Sequence, residues 1–157
     1  MYNFSGKVVV ITGGAGGIGQ AISAMLIKQG AYIAALDLNV DALSESDTLL
    51  PLATDITSTD QLNASVEKIV EKFGTIDVLF NNAGITHMSC FVDTKADLFD
   101  KIMDVNFSAA VNMTRLCLPY IINNKGLIVA ISSVAGFAPL YGRSAYSASK
   151  HAMEGFF

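Results

Sequence analysis

Val8-Val9-Val10-Ile11-Thr12-Gly13-Gly14-Ala15-Gly16-Gly17-Ile18-Gly19 sets five β-branched residues directly against a run of glycines. The β-branched part fits a central parallel strand. Beyond the glycines, Ile18, Ile22, Met25 and Leu26 recur at helical spacing, and Gly30 follows as a helix terminator. Ala31 to Leu38 then reads as a second apolar strand that ends in Asp37. Strand, glycine turn, helix and strand form the context in which glycines cradle a pyrophosphate. They permit the tight turn and let backbone N–H groups approach the ligand at a helix N-terminus. The run parses in two registers, Gly14-x-Gly16-x-x-Gly19 or Thr12-Gly13-x-x-x-Gly17-Ile18-Gly19, and loop chemistry does not choose between them.

A carboxylate at the end of the second strand can accept both hydroxyls of an adenosine ribose, and it repels a 2′-phosphate. Asp37 stands there, and position 16 is Gly, so no basic side chain in the loop offers that phosphate a partner. NAD is therefore expected over NADP.

The strand–helix alternation continues. Leu49 to Ile56 reads as a third strand that carries Asp55 near its end. Ser58-Thr59-Asp60-Gln61 has the form of a capping box, opening a helix with Leu62, Val66, Ile69, Val70 and Phe73 inward and Gly74 at its end. Ile76 to Phe80 is a fourth strand that runs into Asn81-Asn82-Ala83-Gly84, where ligands dock in open α/β sheets. One long helix is expected from Asp97 to about Asn123, striped by Leu98, Ile102, Ala109, Met113, Leu116 and Tyr120, with Pro119 kinking its last turns. Asn106 falls inside that stripe, as a satisfied core amide or as part of a site; helix pattern alone favours the core. Leu127 to Ile131 is a fifth strand, followed by Ser132 and Ser133, whose simplest use is to cap the next turn.

Near the end, Ser144-Ala145-Tyr146-Ser147-Ala148-Ser149-Lys150 puts Tyr146 and Lys150 four apart, on one helical face. A free phenol titrates near pH ~10, and an adjacent ammonium favours its ionised form. Such a tyrosine suits general acid–base work.

Composition narrows the class. With 52% hydrophobic and 15% charged residues and a mean hydropathy of +0.46, the chain fits a sheet buried on both faces. A formal charge of −4 argues against a nucleic-acid or anionic-membrane surface. Cys90 and Cys117 give neither a disulfide framework nor metal-ligand spacing, and neither His87 nor His151 marks a site, so no metal is expected. No apolar run reaches transmembrane length and Met1 to Lys7 lacks a signal-peptide layout, so a cytoplasmic protein is expected. The 157 residues read as one dinucleotide-binding and catalytic domain with α/β architecture, a doubly wound parallel sheet of Rossmann-like type.

Taken in order, Thr12-Gly13-x-x-x-Gly17-Ile18-Gly19, Asn81-Asn82-Ala83-Gly84, Asn106, Ser133 and Tyr146-x-x-x-Lys150 resemble the short-chain dehydrogenase/reductase family. The resemblance favours the glycine register of Gly13, Gly17 and Gly19. It implies that Tyr146 is the acid/base, that Lys150 tunes it and holds the nicotinamide ribose, that Ser133 bonds the substrate oxygen, and that Asn106 holds a water in a proton relay. It also implies that Asp55 and Ile56 lie near the adenine, and that Asn82, Ala83 and Gly84 lie on the adenosine side. The implied substrate is a small alcohol or ketone, and the implied full-length form a homo-oligomer. Family members continue through further C-terminal strands, whereas here Phe156 and Phe157 end the chain, so the domain is expected to be incomplete at that end. The alternative is a non-enzymatic nucleotide-binding or protein-interaction module on the same fold.

Overall fold

The computed structural model describes residues 2–157. Its sheet has five parallel strands: β1 (Val8–Thr12), β2 (Tyr32–Asp37), β3 (Leu49–Ala53), β4 (Val78–Asn81) and β5 (Leu127–Ala130). Their order is β3-β2-β1-β4-β5, so the chain winds outward one way from β1 and then resumes on its other side. The reversal falls between β1 and β4, and in open α/β sheets the crevice at such a point receives ligands.

Every residue of β1 is buried, as a central strand covered on both faces requires. Val8 and Val10 join Ala34, Leu36 and Leu79 on one face, under α2 (Thr59–Phe73) and α4 (Ala109–Asn123). Val9 and Ile11 join Ile33, Ala35 and Val78 on the other, under α1 (Gly17–Ile27). The period-two alternation thus splits one apolar run between two cores. The doubly wound Rossmann-like sheet expected from the sequence is the architecture observed.

Ser58 caps α2 as expected, its Oγ accepting from Gln61 N at 3.4 Å, and Gly74 closes it at φ +82°. The Gln61 side chain does not complete the capping box, because its Oε1 accepts from Asp55 N instead. β3 stops at Ala53, short of Asp55, whose carboxylate turns to bind Thr57. β4 and β5 are likewise shorter than the apolar runs that mark them.

Two expectations are corrected more substantially. In α1, Ile18 and Met25 are exposed, while Gly19, Ser23 and Leu26 face the sheet. Periodicity counted the large residues, but the inner face begins with glycine because it lies on the loop itself. The long helix expected from Asp97 is α3 (Ala96–Met103) and α4 joined by a π-helical turn, Asp104–Ser108, with Asn106 buried in it. Such turns recur at functional sites. Finally, α5 (Ser144–Phe156) packs against α3, that π-turn, and the 3-10 turn Val134–Gly136.

Candidate functional site

The glycines divide by what surrounds them. Gly13 has φ +65°, and a Cβ there would lie 2.9 Å from Ala83 Cα. A Cβ at Gly19 would lie 2.3 Å from Gly13 O, and one at Gly14 would lie 2.7 Å from Ala35 Cβ. These three let the loop, the helix and the sheet touch. A Cβ at Gly17 would meet open space, and that space is a cleft of ≈ 450 Å³. The close packing thus falls on Gly13, Gly14 and Gly19, which belong to different parsings of the motif, while Gly16 and Gly17 border the cleft.

The loop lines this cleft with Gly13, Gly16, Gly17 and Ile18, and the end of β2 with Asp37 and Leu38. Asp55 and Ile56 follow β3; Asn82, Ala83 and Gly84 follow β4; Lys101 and Val105 form the wall from the helix. Of the residues assigned to a dinucleotide on sequence grounds, Gly13, Gly17, Ile18, Asp37, Asp55, Ile56, Asn82, Ala83 and Gly84 line this cleft, whereas Gly19, Tyr146 and Lys150 do not.

Asp37 Oδ2 accepts the Ala15 N–H at 3.0 Å, binding the strand end to the loop. Asp55 is held below the usual carboxylate range by the Thr57 hydroxyl and N–H, with the Lys101 ammonium adding to the effect.

Asn82 has a structural task. Its Nδ2 donates to Thr12 O at 2.9 Å and to Gly13 O at 3.0 Å. Thr12 Oγ1 accepts from Asn82 N and Ala83 N, each at 3.1 Å. Thr12 was visible as a motif letter, but its role as the splice between β1 and the segment after β4 was not. Asn81 points elsewhere, its Nδ2 donating to Thr114 Oγ1 at 3.0 Å.

The second cluster lies on α5 and the π-turn. Lys150 is almost wholly buried, its Nζ donates to Ile131 O at 2.7 Å, and it stands 5.9 Å from the Tyr146 ring centroid. Burial pushes the Lys150 ammonium below its ordinary pKa. Asn106 clamps the main chain of Ile85: Oδ1 accepts from Ile85 N at 2.8 Å, and Nδ2 donates to Ile85 O at 2.9 Å. Its other amide proton goes to Ser149 Oγ at 2.9 Å. Both amide protons are taken, so the satisfied-core reading of this side chain describes its geometry. Ser133 Oγ caps the turn that follows, accepting from Ala135 N at 3.2 Å.

Gly84 joins the two clusters. It lines the cleft, and a Cβ on it would stand 3.4 Å from Asn106 Oδ1 and 3.7 Å from Lys150 Nζ. The glycine-walled cleft and the buried lysine are therefore neighbours.

The family model described as short chain dehydrogenase matches residues 7–157. The chain belongs to this short-chain dehydrogenase family. Among curated relatives, a 3-oxoacyl-[acyl-carrier-protein] reductase of Thermotoga maritima is 40% identical over 96% of this chain and 65% of its own length. The 2-(R)-hydroxypropyl-CoM dehydrogenase of Xanthobacter autotrophicus is 37% identical over 94% of this chain and 64% of its own. The NAD+-bound structure of a xylitol dehydrogenase superposes with a TM-score of 0.91 at 31% identity, covering 98% of this chain and 63% of that one. The chain thus spans somewhat under two thirds of the length of these short-chain dehydrogenases. Among the described residues, no helix is long and apolar enough to cross a membrane.

Proposed function

We propose that this chain is the nucleotide-binding and catalytic part of an NAD-dependent oxidoreductase that moves hydride between the cofactor and an alcohol or carbonyl carbon. The observation that carries it is Gly84, which borders both the glycine-walled cleft and the Asn106–Lys150 cluster. The open space over Gly17 at the start of α1 fits a pyrophosphate, and Asp37 at the cleft edge fits a ribose with free hydroxyls. Asp55 and Ile56 would flank the adenine, with Asn82 keeping the floor of the cleft in place.

When bound, the nicotinamide supplies or takes the hydride. Tyr146 gives its phenolic proton to a carbonyl oxygen, or as phenolate takes one from an alcohol. Lys150, one helical turn on, would set its ammonium beside the Tyr146 phenol and would hold the nicotinamide ribose. The Ser133 hydroxyl accepts from Ala135 N, which leaves its own proton for the substrate oxygen. A relay water would be held by an oxygen of Asn106, since both amide protons are used.

The experiment is a paired titration and knock-out in the full-length protein that carries this chain. NADH should bind more tightly than NADPH by fluorescence titration. Tyr146→Phe should keep NADH binding while turnover falls by at least ~100-fold, the low end for losing a positioned acid or base. A Tyr146→Phe protein with near-normal turnover ends this mechanism.

A further inference from the structure

We propose that Ser149 is a positioning residue, whose hydroxyl couples the Asn106 amide to the turn of α5 carrying Tyr146 and Lys150. The proposal rests on the reading that Lys150 and Tyr146 face the cofactor and substrate.

Ser149 is fully buried, and its hydroxyl uses both of its capacities. It donates to Tyr146 O at 2.8 Å and accepts from Asn106 Nδ2 at 2.9 Å. A helical serine that bonds back to its own helix usually does so locally. Here the bond continues into a second helix and then to a third segment, because Asn106 also holds Ile85 by both N and O. Ile85 follows Gly84 in the cleft wall. The main chain beside the cleft, the π-turn and the Tyr146 carbonyl are thereby tied by one chain of bonds.

The direction of the last bond matters. Helix geometry already sends the Lys150 N–H to the Tyr146 carbonyl, so the Ser149 hydroxyl meets it at the same oxygen. The turn that spaces Tyr146 from Lys150 is thus fixed against the body of the protein rather than only within its own helix. Lys150 Nζ has one protein acceptor, Ile131 O, and moving the turn moves it from that oxygen. The other ionisable groups on α5 are Tyr146, His151 and Glu154, the last two exposed, and those on α3 and the π-turn, Asp97, Asp100, Lys101 and Asp104, are all exposed.

The test measures NADH affinity by fluorescence against pH for the full-length protein, Ser149→Ala and Ser149→Thr. Thr75→Ala is the control, since Thr75 Oγ1 also takes a part-buried amide bond, from Asn124, remote from the cleft. Ser149→Ala should weaken NADH about fivefold or more at pH 7, the scale of one lost hydrogen bond. It should also move the alkaline midpoint of the affinity profile by more than about half a pH unit, because the ammonium is displaced. Ser149→Thr should restore both, and Thr75→Ala should lower the melting temperature and leave the midpoint alone. Should Ser149→Ala not fold, Ser149→Cys, slightly larger, keeps a weak donor and acceptor in place and weakens the same bonds. A Ser149 variant that loses stability and keeps the wild-type profile overturns the positioning role. Absence of NADH binding by the unmodified protein overturns it together with the functional reading, so the two failures are distinguishable.

Discussion

Asp37 Oδ2 accepts the Ala15 N–H at 3.0 Å, so the carboxylate that would choose between NAD and NADP also braces the glycine loop. The two roles separate by substitution. Asp37→Asn keeps a side-chain oxygen for Ala15 N while removing the charge that opposes a 2′-phosphate. It should narrow the gap between NADH and NADPH with the loop intact. Asp37→Ala removes the brace as well and should weaken both nucleotides, NADH by about tenfold, the scale of a charge-assisted hydrogen bond. Calorimetric titration of both cofactors distinguishes them; identical effects of Asn and Ala would mean that the brace contributes nothing.

Gly17 and Gly19 are two positions apart and should respond oppositely to alanine. The Cβ of Gly19→Ala would sit 2.3 Å from Gly13 O and 2.7 Å from Gly14 Cα, both backbone, so the loop has to move. A cost of ~1–3 kcal/mol or more is expected from such overpacking. Gly17→Ala meets open space in the first turn of α1 and should stabilise the fold by about 0.4–1 kcal/mol through the unfolded chain. Its methyl nonetheless enters the cleft, so nucleotide binding should weaken. Urea denaturation beside NADH titration reads both effects, and a stable, binding-competent Gly19→Ala would contradict the packing.

Local pattern made much of this legible. β1, the glycine turn and the Tyr146–Lys150 spacing are written in contiguous residues, whose periods are those of strand and helix. What stayed hidden joins residues far apart in the chain. The Thr12–Asn82 splice exists only because β1 and β4 pair in parallel, and the Asn106–Ser149 bond only because α5 lies on the π-turn. The inner face of α1 was misread for a related reason. Apolar periodicity marks Ile18 and Met25, whereas contact with the loop requires the smallest side chain, Gly19.

Gly136 should be nearly as intolerant as Gly19. A Cβ there would lie 2.7 Å from Ser132 Oγ and 3.1 Å from Lys150 O, where the turn after β5 rests on α5. Gly136→Ala should lift the Ser133 turn from the helix and cost ~1–3 kcal/mol. Its thermal midpoint should fall accordingly, and because the new methyl also presses on Lys150 O, NADH binding should weaken with it. An unchanged midpoint would show that the turn does not bear on α5 in solution.

Two lysines should impose opposite pH dependences on stability. Lys7 Nζ donates to Asp77 Oδ1 at 2.8 Å, and that hydrogen bond, with the charge of Asp77, raises its pKa above the ordinary 10.5. Its contribution is therefore present below pH 10.5 and lost as pH rises through the elevated folded value. Lys150 is shifted the other way by burial, below 10.5. Between its folded value and 10.5 the unfolded chain binds more protons, so stability from this group rises with pH in that window. Because Lys7 is partly exposed, its effect should be the smaller and should shrink with salt. Urea midpoints measured from pH 8 to 11 for the wild type, Lys7→Met and Lys150→Met separate the two. The difference between wild type and Lys150→Met should change below pH 10.5, and the difference between wild type and Lys7→Met above it. Parallel curves for all three proteins would mean that neither shift exists in solution.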